Sequence, residues 1–214
     1  MNPPLLSSND RSTDSASARI RLSELFHSIQ GEGSLTGTPS VFVRTTGCNL
    51  RCWFCDTPYT SWSAEGRQIP VSDLLSQILA FDCRHIVVTG GEPLLQPAVF
   101  PLIRELRAAG KHVTVETAAT VFRPVDTNLF SISPKLSNST PASERSRKWN
   151  VRHDQLRTNL PAVRSMLAAA DCQLKFVVDQ PADLPEVLDY LANFPEVCSE
   201  QVWLMPQTTD QTSH

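Results

Sequence analysis

The sequence lacks the basic excess that marks a nucleic-acid-binding protein. Its 214 residues carry 19 Lys and Arg against 22 Asp and Glu, which gives a formal net charge of −3. Proteins that bind nucleic acids through phosphate contacts concentrate Lys and Arg, because neutralising the phosphates supplies much of their affinity. We therefore expect no nucleic-acid partner.

Long apolar runs are also missing. A membrane-spanning helix needs about 20 mostly apolar residues, and no run in the chain approaches that length. The first 18 residues are rich in Ser, Asn, Asp and Pro, and they lack the basic start and apolar centre of a secretory signal. We expect a disordered tail at 1–18, one core domain at 19–214, a cytoplasmic location and no membrane association.

Short apolar runs recur along the core and alternate with segments of helical periodicity. Runs of this kind are typical of strands that are covered on both faces. The expected strands are 21–29, 40–47, 85–91, 112–117, 129–133, 174–179 and 202–206. The expected helices are 71–81, 98–110 with Gly110 as its stop, 151–169 with an interruption at Pro161, and 182–194.

Alternation of strand and helix predicts a parallel sheet built from βα units. With about six such repeats, the chain is too short for a complete eight-fold barrel, which usually needs about 250 residues. We therefore predict an α/β fold, a partial TIM-type barrel with its chemistry at the C-terminal strand ends. The polar stretch 137–150 is expected to be a mobile loop.

Three cysteines, Cys48, Cys52 and Cys55, fall within eight positions in the spacing Cys-x3-Cys-x2-Cys. A structural zinc ion normally takes four ligands, and no fourth cysteine or histidine lies close by in the sequence. A four-iron four-sulfur cluster normally has one thiolate on each iron, so three thiolates would leave one iron open. The other cysteines, Cys83, Cys172 and Cys198, stand singly among apolar residues and are expected to be buried thiols.

A second motif, TGGEP from Thr89 to Pro93, follows the third expected strand. Its two glycines would let the backbone approach a ligand closely, and Glu92 would accept a hydrogen bond from a positively charged amino group. An ordinary Gly-Gly turn is the alternative interpretation. Together with the cysteine spacing, this motif resembles the radical S-adenosylmethionine superfamily.

The neighbouring segments narrow the resemblance to one family. FHSIQGEG (26–33), VFVRTTGCNLRC (41–52), CDTPY (55–59), GGEP (90–93) and SPK (133–135) occur in this order. The combination closely resembles the 7-carboxy-7-deazaguanine synthase family from about residue 20 to 208. One departure is ETAAT (116–120), where the family often has Asn-Gly after Glu-Thr.

The resemblance implies a carbon-nitrogen lyase of queuosine-precursor biosynthesis. Such an enzyme converts 6-carboxy-5,6,7,8-tetrahydropterin to 7-carboxy-7-deazaguanine with loss of ammonia, after a 5′-deoxyadenosyl radical removes a hydrogen atom from C6. It implies a 4Fe-4S cluster, S-adenosylmethionine and Mg2+ as cofactors. It also implies a flavodoxin or ferredoxin as reductant and a homodimer.

The resemblance also assigns residues to each group. Cys48, Cys52 and Cys55 would hold the cluster, and Thr57 the Mg2+ ion. The substrate would contact Ile29, Gln30, Gly31, Glu32, Arg44 and Thr117. S-adenosylmethionine would contact Phe54, Cys55, Asp56, Gly90, Gly91, Glu92, Ala119, Ser133, Pro134, Lys135, Met205, Pro206, Gln207 and Thr208.

Two alternatives remain open from the residues themselves. Glycyl-radical activating enzymes share the cysteine spacing and a similar glycine motif, but they act on a protein. The segments IQGEG and CDT favour a small-molecule substrate over a protein. A zinc-binding interaction module could use the cysteines, but it would not account for GGEP at a strand end.

Overall fold

The structure is a computed structural model that describes residues 18–142 and 147–207. Within these ranges, eight strands form one mixed sheet in the order β3-β1-β2-β4-β5-β6-β7-β8. The strands are β1 Arg19–Ile29, β2 Pro39–Thr45, β3 Arg67–Pro70, β4 His85–Gly90, β5 His112–Thr117, β6 Leu129–Ile132, β7 Asp171–Val178 and β8 Val202–Pro206. The tail expected at 1–18 lies outside the described residues, apart from Ala18, and so does Thr208.

Strand direction divides the sheet into two parts. β1 pairs antiparallel with β2 and with β3, whereas β2, β4, β5, β6, β7 and β8 pair in parallel. The parallel strands β4 and β6 are mostly apolar, as expected for strands with both faces covered, whereas β2, β5 and β7 also contain polar and charged residues. Val41 and Val43 on β2 and Ile86 and Val88 on β4 are completely buried.

Six helices accompany the strands in the described part of the chain. They are α1 Pro58–Ser61, α2 Val71–Leu79, α3 Val99–Ala108, α4 Arg147–Leu156, α5 Leu160–Ala169 and α6 Leu184–Leu191. Gly110 follows α3 with a φ of +74°, a conformation that suits glycine after a helix end, as predicted. No helix among the described residues combines the length and apolar character that a membrane crossing requires.

The α/β prediction is confirmed, but the count of six βα repeats is not. Six strands do run in parallel, yet the described connection from β5 to β6 contains no helix. The sheet is open, and the short strand β3 extends its antiparallel edge. β3 escaped prediction because RQIP offers only four residues and no clear alternation.

The segment expected as one interrupted helix at 151–169 is two helices. α4 ends at Leu156, and the side chain of Asn159 caps α5 by accepting a hydrogen bond from the Ala162 amide at 3.2 Å. Pro161 lies in the first turn of α5, where its missing N–H costs nothing. A helix start therefore explains this proline better than a kink does.

Two further expectations need correction. Of the stretch expected as a mobile loop at 137–150, residues Ser137–Ser139 form a 3-10 turn and α4 begins at Arg147, while 143–146 lie outside the described residues. Cys83 and Cys172 are buried as predicted, but Cys198 is exposed. Cys198 precedes a short polar turn before β8, a position that the apolar residues around it in the sequence did not reveal.

Candidate active site

The C-terminal ends of the parallel strands surround one cavity of about 760 Å³. Residues from β1, β2 and the segment that joins them (30–38), from the cysteine loop (46–57) and from the ends of β4 to β8 meet there, because parallel strands end on the same edge of a sheet. The predicted site residues that line it are Ile29, Gln30, Gly31, Glu32, Arg44, Cys48, Cys52, Phe54, Cys55, Asp56, Thr57, Gly90, Gly91, Thr117, Ser133, Lys135, Met205, Pro206 and Gln207. Glu92, Ala119 and Pro134 are not among the lining residues.

The three clustered cysteines are free thiols that line this cavity together. Burial raises the pKa of Cys48 to about 12 and that of Cys52 to about 11. Cys55 Sγ lies 3.2 Å from Ser61 Oγ. Cys48 and Cys52 are therefore protonated in the cluster-free protein near neutral pH, and binding iron would displace these protons.

The donor set fits an iron–sulfur cluster. Soft thiolates favour iron–sulfur and zinc sites, and the three thiols face a cavity that has room for a larger group. Within the described residues, no group of three or more His, Cys, Asp or Glu side chains converges on a single-ion position. Thiolates that bind separate irons of a cluster need not converge on one point.

The two glycines of GGEP are required by the backbone that packs against them. Gly90 has a φ of +126°, and a Cβ there would lie 2.0 Å from the Thr45 carbonyl oxygen. A Cβ on Gly91 would lie 2.3 Å from the Gly47 carbonyl oxygen. Both glycines line the cavity, and the close approach of β2 and the cysteine loop to β4 is what excludes a side chain at either position.

Glu92, the next residue of the motif, is enclosed by protein groups and does not line the cavity. Its carboxylate is fully buried and accepts hydrogen bonds from Thr117 Oγ1 at 2.8 Å, the Ala118 amide at 2.9 Å and the Leu94 amide at 3.2 Å. Burial raises the pKa of Glu92 to about 7, although these hydrogen bonds oppose the shift. Glu92 therefore links the ends of β4 and β5, and it holds the hydroxyl of Thr117, which lines the cavity.

Ala119 is buried with a φ of +53°, which is a left-handed conformation. Its amide donates to Thr117 Oγ1 at 2.9 Å. Its neighbour Ala118 lines the cavity in its place. A residue with a Cβ is strained in this conformation, whereas glycine would adopt it without that steric cost.

Asp56 and Thr57 place oxygen atoms side by side in the cavity next to Cys55. Thr57 Oγ1 donates to Asp56 Oδ1 at 3.3 Å and accepts from Thr60 Oγ1 at 3.3 Å. Thr57 is nearly buried, at 9% exposure. Hydroxyl and carboxylate oxygens are the ligands that hard cations such as Mg2+ prefer.

Arg44 lines the cavity, and its guanidinium forms an ion pair with Glu24. Its Nε lies 2.5 Å from Glu24 Oε2, and its guanidinium carbon lies 5.4 Å from the centre of the Phe26 ring. Tyr59 donates to the same Glu24 oxygen at 2.9 Å. The guanidinium has five N–H donors, so this contact leaves donors for an anion in the cavity.

A charged network that the sequence analysis missed lies across the cavity. Lys175 on β7 is almost completely buried, and its ammonium donates to Glu32 at 2.9 Å and to Glu116 at 3.1 Å. Thr89 donates to the other oxygen of Glu116 at 2.7 Å. One signal was available, since Lys175 is the charged residue inside the apolar run LKFVV.

The pKa shifts in this network follow from pairing. Burial lowers the pKa of Lys175, but the carboxylates of Glu116 and Glu32 outweigh that effect and raise it overall. Burial likewise raises the pKa of Glu116, and the ammonium of Lys175 with the Thr89 hydroxyl outweighs burial and lowers it. Both groups are therefore charged at neutral pH.

Comparison with known proteins agrees with this geometry. Residues 42–132 match the sequence model of the Radical SAM superfamily, a range that includes the cysteine loop and GGEP. The 7-carboxy-7-deazaguanine synthase of Rhodopirellula baltica is 46% identical over 189 residues, which cover 88% of this chain and 73% of that protein. The chain belongs to the 7-carboxy-7-deazaguanine synthase family. The Halobacterium salinarum member is 44% identical and covers 89% of this chain and 78% of its own length.

Solved structures support the 7-carboxy-7-deazaguanine synthase fold. The crystal structure of QueE from Escherichia coli superposes with a TM-score of 0.67 at 24% identity and covers 90% of this chain and 85% of its own. Streptococcus suis SuiB bound to S-adenosylmethionine gives a TM-score of 0.56 at 14% identity, covering 80% and 41%. Membership of a radical S-adenosylmethionine family implies a 4Fe-4S cluster and S-adenosylmethionine as cofactors.

Proposed function

We propose that this chain converts 6-carboxy-5,6,7,8-tetrahydropterin to 7-carboxy-7-deazaguanine with loss of ammonia. The observation that carries the proposal is the meeting of the three thiols, the Gly90–Gly91 backbone and the IQGE segment in one cavity. Its volume of about 760 Å³ lies within the usual range for ligand sites. Curated relatives similar over most of the chain bear the name of this reaction's product.

Cys48, Cys52 and Cys55 would hold the cluster, with one iron left for the amino and carboxylate groups of S-adenosylmethionine. When bound, these cofactors supply hydrogen-atom abstraction at C6 of the pterin. The remaining cofactor contacts would come from lining residues at the strand ends. These are Phe54, Asp56, Gly90, Gly91, Ser133, Lys135, Met205, Pro206 and Gln207.

Glu92 and Ala119 would act on the cofactor indirectly in this proposal. Glu92 holds the peptide that follows Thr117, through the Ala118 amide. Ala119 adopts a left-handed conformation directly after Ala118, which lines the cavity. Pro134 lies between two lining residues, Ser133 and Lys135, and would fix the backbone between them.

The substrate would lie against the opposite wall. Gln30 is nearly buried, and its amide nitrogen donates to Ser40 Oγ at 2.9 Å, which leaves the amide oxygen as an acceptor for a pterin N–H. Glu32, held by Lys175, offers a second acceptor. Arg44 would bind the substrate carboxylate with its remaining donors, and Ile29, Gly31 and Thr117 would complete the wall.

Asp56 and Thr57 are the oxygen donors best placed for Mg2+, which would also bind a substrate carboxylate oxygen. Replacing Thr57 by Ala should weaken the Mg2+ stimulation of turnover, while Thr57→Ser keeps the hydroxyl and should retain it. Titration of the rate with Mg2+ measures both variants. Equal Mg2+ dependence in Thr57→Ala and the parent protein would reject this ligand.

The partners in this proposal are a flavodoxin or ferredoxin as electron donor and a second copy of the chain in a homodimer.

The second candidate function is a glycyl-radical activating enzyme, which shares the cluster chemistry. The third is a zinc-binding interaction module. We rank the pterin reaction first because the IQGE segment and Thr57 line the same cavity as the three cysteine thiols.

One anaerobic assay separates the three candidates. The reconstituted protein is incubated with 6-carboxytetrahydropterin, S-adenosylmethionine, Mg2+ and a strong reductant, and 7-carboxy-7-deazaguanine and ammonia are measured. Cleavage of S-adenosylmethionine without this product would reject the substrate but keep the superfamily chemistry. A colourless protein that retains zinc would reject the radical chemistry altogether.

The chain offers a matched control for the cluster ligands. Cys52→Ala should abolish the brown chromophore and the product, because two thiolates hold the cluster poorly. Cys198→Ala removes an exposed thiol that does not line the cavity and should leave both unchanged. A Cys52→Ala protein with full iron content would contradict the assignment.

A further inference from the structure

The cysteine loop is held by Ser139 and by His153 on α4, neither of which lines the cavity. The amides of Arg51 and Trp53, on either side of Cys52, donate to these two residues. The Arg51 amide bonds to His153 Nδ1 at 3.0 Å, and the Trp53 amide bonds to the Ser139 carbonyl oxygen at 3.2 Å. The backbone on both sides of Cys52 is therefore held by residues 85 or more positions further along the chain.

His153 is completely buried, and both of its ring nitrogens are engaged. Ser139 Oγ donates to the Leu136 carbonyl oxygen at 2.6 Å, so it accepts from His153 Nε2 at 2.9 Å. Nδ1 then has no proton and is free to accept from the Arg51 amide. The directions of the three bonds are consistent only with a neutral ring protonated at Nε2.

Arg51 completes the closure of the loop with its side chain. Its guanidinium donates to the carbonyl oxygens of Cys48 at 2.7 Å and Leu50 at 2.6 Å. The guanidinium carbon lies 4.0 Å from the ring centre of Trp149, which is on α4 together with His153. Both the backbone and the side chain of Arg51 thus fix the loop between Cys48 and Cys52 against α4.

We propose that His153 is a positioning residue that sets the geometry of the cysteine loop and so makes cluster binding tight. The inference rests on the proposed cluster ligation by Cys48, Cys52 and Cys55. A three-thiolate site has no fourth protein ligand to correct a misplaced one, so its loop must be ordered by bonds outside the cluster. His153 supplies the acceptor that the Arg51 amide would otherwise lack.

The test compares His153→Leu and His153→Asn with His112→Leu. Asn can place an acceptor near the position of Nδ1, whereas Leu cannot. His112 is a partly buried histidine at the start of β5, on the sheet edge opposite the cavity. The measurement is the rate at which a chelator removes iron from each reconstituted protein, together with iron content and the thermal midpoint of each cluster-free protein.

We expect iron release from His153→Leu to be roughly tenfold faster than from the parent protein, the effect of about one lost hydrogen bond. The rate of iron release from His153→Asn should lie between those of His153→Leu and the parent protein, and the rate from His112→Leu should equal that of the parent. Release from a folded His153→Leu at the rate of His112→Leu would overturn the proposal. If His153→Leu does not fold, Ser139→Ala decides by the same criterion, because it keeps the ring and removes its Nε2 partner.

A second measurement needs no cluster. The ring nitrogens of His153 in the ¹⁵N-labelled, cluster-free protein should show the neutral form protonated at Nε2, and a proton on Nδ1 would overturn the proposal. Parent protein that takes up no cluster would reject the proposed function instead, so the two failures are distinguishable.

Discussion

At the scale of single residues, two buried carboxylates in the site differ in what compensates their burial. Glu116 has the ammonium of Lys175 at 3.1 Å, whereas the hydrogen-bond donors to Glu92 are neutral groups and the charge of Lys135 is the smallest influence on its pKa. Their pKa values accordingly shift in opposite directions, down for Glu116 and up to about 7 for Glu92. A charged partner therefore decides which of the two carboxylates stays ionised.

Removing Lys175 should leave Glu116 buried without its counter-charge. We expect Lys175→Met to lower the free energy of unfolding by about 3 kcal/mol, the usual cost of breaking a buried pair. Denaturant unfolding at pH 7 measures the change. The double variant Lys175→Met/Glu116→Gln should recover part of the loss, and a double variant that is merely additive would contradict the coupling.

Ala119 allows a stabilising substitution. Ala119→Gly should raise the free energy of unfolding by up to about 1 kcal/mol, because glycine adopts a φ of +53° without strain. Ala118→Gly is the matched control, since Ala118 has no positive φ and should lose stability through added chain entropy. The interpretation fails if both variants change thermal stability equally.

At the scale of elements, the end of β4 is pressed against β2 and the cysteine loop. Gly90 is the closest approach to β2, and Gly91 is the contact with the cysteine loop, where the Gly47 carbonyl oxygen occupies the position that a Cβ would need. The amide of Glu92 donates to that same carbonyl at 2.9 Å. The GGEP segment thus forms the support for the residue that immediately precedes Cys48.

Gly91→Ala should therefore disturb the cysteine loop. We expect a loss of about 1–3 kcal/mol in the free energy of unfolding, as for other overpacked sites, together with reduced iron after reconstitution. Gly31→Ala is the stability control, because a Cβ there meets nothing within 4 Å. Gly91→Ala with the stability of Gly31→Ala and full iron content would contradict this account.

At the scale of the whole molecule, two buried groups give stability opposite dependences on pH. Burial lowers the pKa of His153 from 6.5 to about 4, so its contribution is lost as pH falls from 6.5 towards 4. Burial raises the pKa of Glu92 from 4.5 to about 7, so its contribution is lost as pH rises from 4.5 towards 7. Between pH 4.5 and 6.5 the two effects oppose each other.

In the Glu92→Gln variant, the pH dependence of stability that comes from His153 should no longer be opposed by that of Glu92. The stability difference between the parent protein and Glu92→Gln should shift in favour of Glu92→Gln as pH rises from 4.5 to 7, because the variant has no proton to lose. Denaturant unfolding at half-unit pH steps measures this difference. A difference that does not vary with pH would show that Glu92 titrates at its ordinary pKa.

Residue type and spacing were enough to predict several features. The cysteine triplet, the strands from 85 to 206 and the stop at Gly110 follow from local chemistry and periodicity. The sequence could not reveal that Glu92 faces Thr117, or that Lys175 faces Glu32 and Glu116, because these residues lie 25 to 143 positions apart. Those contacts depend on strand order.

The sequence by itself determined the ligand types, the family motifs and the α/β pattern, since each depends on residues that are close along the chain. Only the tertiary structure decided which motif residues face the cavity and which support it. The physical reason is that parallel strands end on one edge of the sheet. The packing and hydrogen bonds between neighbouring strand ends there decide which side chains face the cavity and which are buried. Gly90 and Gly91 reach the cavity surface there, while Glu92, the next residue, is completely enclosed.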